Sequence, residues 1–180
     1  MYEELELKAE KLLKRYYSKY FFSKNKIINV EKLLNMLKIE AIYTKMPYKE
    51  LIKIEKNNIF INFSLETNQI KKYTVMAIWH ILENKNTSKI FYRISDNFDA
   101  DEEKYYQLAK ATLLPKKLLE KELQDFNETY EKRDFNHFFQ KKELFVNYLN
   151  EIYNIPKSLI IERLQELEIL DFEIKKEEKK

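Results

Sequence analysis

The sequence predicts an α+β fold that is mostly helical, with a small β-sheet and a C-terminal helical hairpin. Apolar residues recur at helical spacing near the N-terminus and again between positions 138 and 168, which is typical of amphipathic helices. Two short runs, Leu51–Glu55 and Ile59–Phe63, instead alternate apolar and polar residues, as half-buried strands do. With 180 residues, the chain is long enough to bury about two-thirds of its unfolded surface in a core.

The first half of the chain has helix caps and a turn that place its elements. Asn and Thr side chains accept hydrogen bonds from the first N–H groups of a helix, and Asn tolerates the left-handed backbone of a tight turn. Because the chain contains no glycine, we expect Asn or Asp at left-handed positions. The predicted elements are a helix at 3–22, a helix at 30–38 capped by Asn29, a strand at 39–44, a hairpin of the two alternating runs turning at Asn57 and Asn58, and a helix at 68–84 capped by Thr67.

The second half is predicted to be helical, except for one strand and one polar segment. Pro115 suits the first turn of a helix, and the polar stretch at 124–137 is predicted to be irregular and to form a hinge or domain boundary. The expected domains are residues 1–123 and a hairpin unit at 124–170, followed by a charged, solvated tail at 171–180. The elements are a strand or extended loop at 89–94, a helix from Asp99 or Asp101 to about Leu114, a short helix from Pro115 to about Leu123, and helices at 138–153 and 157–168 separated by Asn154.

The composition excludes several kinds of site. With no cysteine and two histidines, the chain has no disulfide, no Cys-based zinc site and no three-His metal site. Without glycine it has no P-loop, no GxGxxG dinucleotide motif and no GxSxG nucleophile elbow. The net charge of +3, from 33 basic and 30 acidic residues, gives no support for a nucleic-acid partner.

The sequence also predicts a cytoplasmic protein without a membrane partner. No apolar run reaches the roughly 18 residues that a spanning helix requires. The N-terminus is acidic and lacks the basic start and apolar stretch of a signal peptide.

Three pieces of sequence, in fixed order, resemble the ImmA/IrrE family of zinc metallopeptidases. They are the strand Ile59–Asn62, the helix start Tyr73–Met76, and the run from Glu102 to Leu113-Leu114-Pro115. The similarity covers about residues 1–120, and the helices near Phe145 and Arg163 look like the helix-turn-helix-like hairpin that trails the protease core in this family. The resemblance implies a zincin-like core and a regulatory setting, because active members look like zinc proteases that cleave a repressor in phages, mobile elements or stress circuits.

The chemical positions of the family's motif are not kept in this chain. The HExxH pattern places two His side chains one helical turn apart to bind zinc, and its Glu acts as the general base. The matching positions hold Ala77, Ile78 and Ile81, none of which binds a metal or accepts a proton. We therefore expect no catalytic residue and no zinc cofactor. Trp79 and the nearby tyrosines are expected to fill the former cleft or, alternatively, to form an exposed patch for a partner.

One alternative is that the chain is an active enzyme with a rearranged zinc site. His80 and Glu83 are three residues apart on the predicted helix, and Glu102 matches the family's third ligand. Together they would form a rearranged zinc site that cleaves a transcriptional repressor. In the simpler interpretation, His80 forms a local hydrogen bond and Glu83 faces solvent.

The preferred hypothesis is a catalytically inactive ImmA/IrrE-like protein that binds another protein, as a phage or mobile-element regulator or as an inhibitor of a host protein. Phe126, Tyr130 and Phe135 are candidate partner-binding residues, since aromatic side chains are frequent hot spots; alternatively, they lie buried under the C-terminal hairpin. A further alternative is a DNA-binding regulator that uses residues 138–168. The mixed charges of that hairpin favour packing on the core, since a DNA-reading helix presents a basic stripe.

Overall fold

The computed structural model describes residues 2–17, 28–84, 87–92, 99–130 and 138–169, and every structural statement below concerns these residues. They form an α+β fold that is mostly helical, which confirms the predicted class. The helices are α1 (Tyr2–Tyr17), α2 (Val30–Leu37), α3 (Thr67–Glu83), α4 (Ala100–Leu113), α5 (Lys116–Tyr130), α6 (Phe138–Tyr153) and α7 (Lys157–Glu166). The strands are β1 (Glu40–Thr44), β2 (Glu50–Glu55), β3 (Asn58–Asn62) and β4 (Lys89–Tyr92).

The described strands form one mixed sheet in the order β1-β3-β2-β4. β2 and β3 pair antiparallel, with Ile52 opposite Ile61 and Ile54 opposite Ile59, which confirms the hairpin. β1 runs parallel to β3, and β4 lies at the far edge, antiparallel to β2. The four isoleucines are buried, and α3 packs against β2 and β3.

Several of the described residues adopt the left-handed backbone conformation, which is strained for any residue other than glycine. Asn154 separates α6 from α7 as predicted, but the expectation of Asn or Asp is wrong at the other three positions. The hairpin turn consists of Lys56 and the predicted Asn57, with the left-handed conformation at Lys56, and Asn58 is already the first residue of β3. This conformation costs about 1–2 kcal/mol, and the flanking elements impose it: Lys38, for example, donates its N–H to Asn35 O at 3.2 Å and ends α2. The positions are Lys38, Lys56, Asn154 and Glu168.

Two of the predicted helix caps are present and one is not. Asn29 Oδ1 accepts a backbone N–H from the first turn of α2 at 2.8 Å. Of the two predicted start residues of α4, Asp99 is the cap: it accepts the Glu102 N–H at 2.7 Å, and the Glu102 carboxylate accepts the Asp99 N–H at 3.4 Å. Thr67 is instead the first residue of α3, and Glu66 precedes it without a capping bond. Burial of α3 stabilises this helix without a side-chain cap.

Helix α5 extends to Tyr130, beyond its predicted end at Leu123. The prediction of an irregular segment is therefore wrong for residues 124–130, while 131–137 lie outside the described residues. Polar neighbours obscured the apolar period of this helix in the sequence. Its buried or partly buried apolar residues recur every three or four positions: Leu119, Leu123 and Phe126.

One cluster of buried apolar side chains includes residues from the sheet, from α3 and from the C-terminal helices. α5 runs through the expected boundary at residue 124, and the division into units 1–123 and 124–170 stays a prediction. Residues 18–22, 93–94 and 171–180, which completed three of the predicted elements, lie outside the described residues. Within the described parts of the chain, no helix has both the length and the apolar character needed to cross a membrane.

Candidate functional site

The predicted motif helix is α3, and it lies in the interior of the fold. Its residues from Thr74 to Ile81 are buried without interruption. Ala77 and Ile78 are 0 % exposed, and Ile81 is 6 % exposed. The sheet, α2 and α4 all pack against this helix. A helix that is apolar and buried on all sides is a core element, so these three positions have no access to a substrate.

Trp79 and the neighbouring tyrosines fill the space around α3. Trp79 is 5 % exposed, and its Nε1 donates to Thr112 Oγ1 at 2.9 Å. The Thr112 hydroxyl donates in turn to Leu108 O at 2.7 Å, so the buried indole N–H has a satisfied partner. The packing prediction is confirmed for these side chains. The tyrosines buried or partly buried in the same core are Tyr73, Tyr105 and Tyr106.

His80 is buried and makes a local hydrogen bond, as the simpler interpretation predicts. Its Nε2 lies 3.0 Å from Thr87 Oγ1. The Thr87 hydroxyl donates its single proton to Asn84 O at 3.0 Å, so we assign the proton of this contact to His80 Nε2. Nδ1 is then an unprotonated acceptor, and it is buried without a hydrogen-bond partner. The ring edge packs against Tyr105, with centroids 5.5 Å apart.

Replacing His80 with Gln should remove part of the protein's loss of stability in acid. Burial lowers the pKa of His80, and the hydrogen bond to Thr87 opposes this effect. Among its charged neighbours, Lys89 lowers the pKa further, while Asp101 and Asp99 raise it. Below about pH 6.5 the unfolded chain therefore binds the proton more readily than the folded chain. Stability is fully present above that pH and is lost as the pH falls through it.

Urea unfolding at about pH 7.5 and about pH 5.5 measures this effect as a difference between wild type and the His80→Gln variant. We expect the wild type to lose more free energy of unfolding than the variant. Other titrating groups are common to both proteins and cancel. Equal losses in the two proteins would show that His80 does not contribute to the acid sensitivity.

The two carboxylates of the proposed rearranged site are held by lysines. Glu83 lies 3.3 Å from Lys8 Nζ and also pairs with Lys104. Glu102 closes the capping box of α4 and lies 3.3 Å from Lys89 Nζ. A carboxylate bonded to lysine is less available to a metal, because the ammonium group competes for the same oxygens. The sequence did not identify these partners, because the chain contains many lysines and local sequence does not say which of them pairs with a given glutamate.

His80, Glu83 and Glu102 make their polar contacts with different partners, which are Thr87 for His80, Lys8 and Lys104 for Glu83, and Lys89 for Glu102. Across the described ranges, no group of three or more His, Asp or Glu side chains has an arrangement that could hold a metal ion. The rearranged zinc site stays a prediction, and the observed contacts do not favour it.

Asn62, at the end of β3, organises the surface beside it. It is 2 % exposed, and its Nδ2 donates to Glu50 O at 2.8 Å and to Pro47 O and Met46 O at 3.3 Å. Its Oδ1 accepts the Ser64 N–H at 3.1 Å. One buried amide therefore fixes the loop before β2 to the end of β3. The sequence singled out this residue only as part of the strand Ile59–Asn62.

The aromatic residues proposed for partner binding are not a described surface. Phe126 is 1 % exposed, and its ring lies 5.1 Å from that of Phe145 and 5.5 Å from that of Tyr148. Rings of α6 cover Phe126, which confirms the alternative of burial under the hairpin for this residue and does not favour it as a partner contact. Tyr130 ends α5, but its side chain is outside the described part, as is the whole of Phe135.

The C-terminal helices use two of their basic residues internally. Lys142 is 7 % exposed and Arg163 is 2 % exposed. α7 contacts both α4 and α6. Two of the basic groups that a DNA-reading helix would present are therefore buried, which favours the interpretation that the pair packs on the core.

Comparison with known proteins leaves the family open. No protein-family model matches the chain, and neither the curated proteins nor the solved structures gave a match. The similarity to ImmA/IrrE metallopeptidases therefore stays a prediction that rests on the quoted residues.

Proposed function

We propose that this chain is a catalytically inactive relative of the ImmA/IrrE metallopeptidases that acts by binding another protein. The observation that supports the proposal most directly is the complete burial of Ala77 and Ile78. A zinc peptidase needs two imidazoles, a carboxylate and an open coordination position for water. Here the two His positions and the general-base position carry Ala77, Ile81 and Ile78, all buried in the core, while Glu102 stands at the third ligand position.

The biological setting of the proposal rests on the resemblance alone. Members of that family look like regulators of repressors in phages and other mobile elements. A member without zinc ligands retains a scaffold on which loops and edges can recognise a protein. We therefore propose a regulator of this kind, or an inhibitor of a host protein.

Metal content is the first test of the proposal. After exposure to zinc and desalting, plasma mass spectrometry should find far less than one zinc per chain. The thermal midpoint should be the same with zinc and with a chelator, because a metal that binds only the folded state would raise it. His80→Ala and Glu102→Gln serve as matched variants and should give the same low zinc content. About one zinc per wild-type chain, lost in both variants, would overturn the proposal and establish the rearranged site.

A further inference from the structure

Two exposed aromatic residues are located at the same end of β1 and β3, and a third is in the adjoining loop. Tyr43 is 58 % exposed, Phe63 is 61 % and Tyr48 is 70 %. Tyr43 belongs to β1, and Phe63 directly follows β3, where its N–H donates to Thr44 O at 3.1 Å. Tyr48 lies in the loop that Asn62 holds. Exposed aromatic groups on a framework fixed by hydrogen bonds are typical of a contact surface.

The backbone of β1 is open on the side away from β3. The N–H of Glu40 donates to Asn57 O at 3.1 Å, and Thr44 O accepts from Phe63, so the backbone groups of residues 40 and 44 face β3. In a parallel pair, alternate residues point to opposite sides. The N–H and C=O groups of Ala41 and Tyr43 therefore face outward, and no described strand lies beyond them. An open edge of this kind is a template for a further strand.

Charged residues flank this edge without partners of their own. Lys45 and Lys49 are exposed at the end of β1 and in the loop that follows, and Glu40 is exposed at its start. Within the described ranges none of the three forms an ion pair, whereas Lys53 on β2, further inside the sheet, pairs with Glu55 at 2.5 Å. Two unpaired lysines beside exposed aromatic rings complement a ligand that combines apolar and acidic side chains.

We propose that this edge binds an extended segment of a partner protein as a fifth strand of the sheet. Main-chain hydrogen bonds to Ala41 and Tyr43 hold the segment, its apolar side chains contact Tyr43 and Phe63, and an acidic residue lies near Lys45 and Lys49. The inference rests on the proposed function and gives it a surface and a partner chemistry. Strand addition of this type derives affinity from the backbone and specificity from alternate side chains.

The test uses a displayed library of random linear peptides of about twelve residues, selected against the immobilised full chain. The enriched peptides should alternate apolar residues and contain an acidic residue. Their dissociation constants, measured by fluorescence anisotropy, should rise at least about tenfold in the Tyr43→Ser/Phe63→Ser double variant. Ala41→Pro, which removes one outward N–H and leaves the bonds to β3 intact, should weaken binding in the same way. Lys45→Glu/Lys49→Glu should weaken the acidic peptides most.

The matched control is Leu7→Ser/Met36→Ser, which changes two other exposed apolar residues, 50 % and 40 % exposed, on α1 and α2. Binding to this control should equal binding to wild type. The proposal is overturned if no alternating peptide is enriched, or if the peptides bind the Tyr43→Ser/Phe63→Ser variant as well as wild type. It is also overturned if sedimentation shows a dimer that the double variant dissociates, since the occupant is then a second copy. The proposal is likewise overturned if the chain binds single-stranded oligothymidine and does not bind peptides.

This test can fail separately from the proposed function. If the chain holds no zinc and the selected peptides do not require Tyr43, the proposed binding at the β1 edge is wrong. The proposed function then stands, with another surface as the binding site. If the chain holds stoichiometric zinc and the selected peptides do require Tyr43, the binding at the β1 edge stands. The assignment as an inactive relative is then wrong.

Discussion

Replacing Ile78 with Glu should destabilise the protein by more than about 4 kcal/mol, enough to leave much of it unfolded at room temperature. Ile78 is 0 % exposed, and its helix is surrounded by the sheet, α2 and α4. A carboxylate at this position would lose its hydration. Thr74, one helical turn earlier on α3, is a buried hydroxyl without a hydrogen-bond partner among the described residues, but one hydroxyl does not replace the hydration shell of a carboxylate. Burying a charged group that has no ionic or hydrogen-bonding partner is strongly destabilising.

The measurement for Ile78→Glu is urea unfolding followed by circular dichroism. Met36→Glu is the matched control, because it makes a similar apolar-to-acidic change at a residue that is 40 % exposed on α2; we expect it to cost less than about 1 kcal/mol. If Ile78→Glu folds as stably as this control, water reaches position 78. The scaffold would then retain an open cleft, and the motif positions would be accessible to a substrate.

The elements that the sequence predicted well are those whose information is local. The alternation in the two short runs determined the hairpin, and Asn29 and Asp99 marked helix starts through bonds to residues three positions away. The errors occur where tertiary contacts override local preference. Lys56 adopts a left-handed turn that propensity assigns to Asn, and α3 begins without a side-chain cap because its surroundings bury it.

The predictions for the candidate site divide in the same way, between features set by local sequence and features set by tertiary contacts. The absence of ligands at Ala77, Ile78 and Ile81 could be read from their side chains alone. The ion pair between Glu83 and Lys8 joins positions 75 residues apart, and nothing local to either residue encodes it. Exposure of Tyr43 could not be predicted either, since 13 tyrosines and 12 phenylalanines must divide between core and surface in ways that only packing decides.

Replacing Arg163 with Met should cost about 3–5 kcal/mol, the second large effect we expect. Arg163 is 2 % exposed and connects three helices. Its Nε donates to Leu114 O at the end of α4, at 3.1 Å, and its guanidinium pairs with Glu6 of α1 and lies 3.7 Å from Glu166 of α7. Removing it leaves two carboxylates with less compensation and a carbonyl oxygen without its donor. Each of these losses destabilises the folded state only.

The control for Arg163→Met is Lys117→Met. Lys117 also pairs with a glutamate of α1, Glu10, at 3.0 Å, but its side chain is 64 % exposed, so the change should cost less than about 1 kcal/mol. Urea unfolding measures both. The double variant Arg163→Met/Glu6→Gln should recover part of the loss, because it also removes one of the uncompensated charges; that coupling separates an electrostatic cause from lost packing. If Arg163→Met unfolds at the same urea concentration as Lys117→Met, the buried pairs do not hold α1 and α7 to α4, and apolar packing alone accounts for their association.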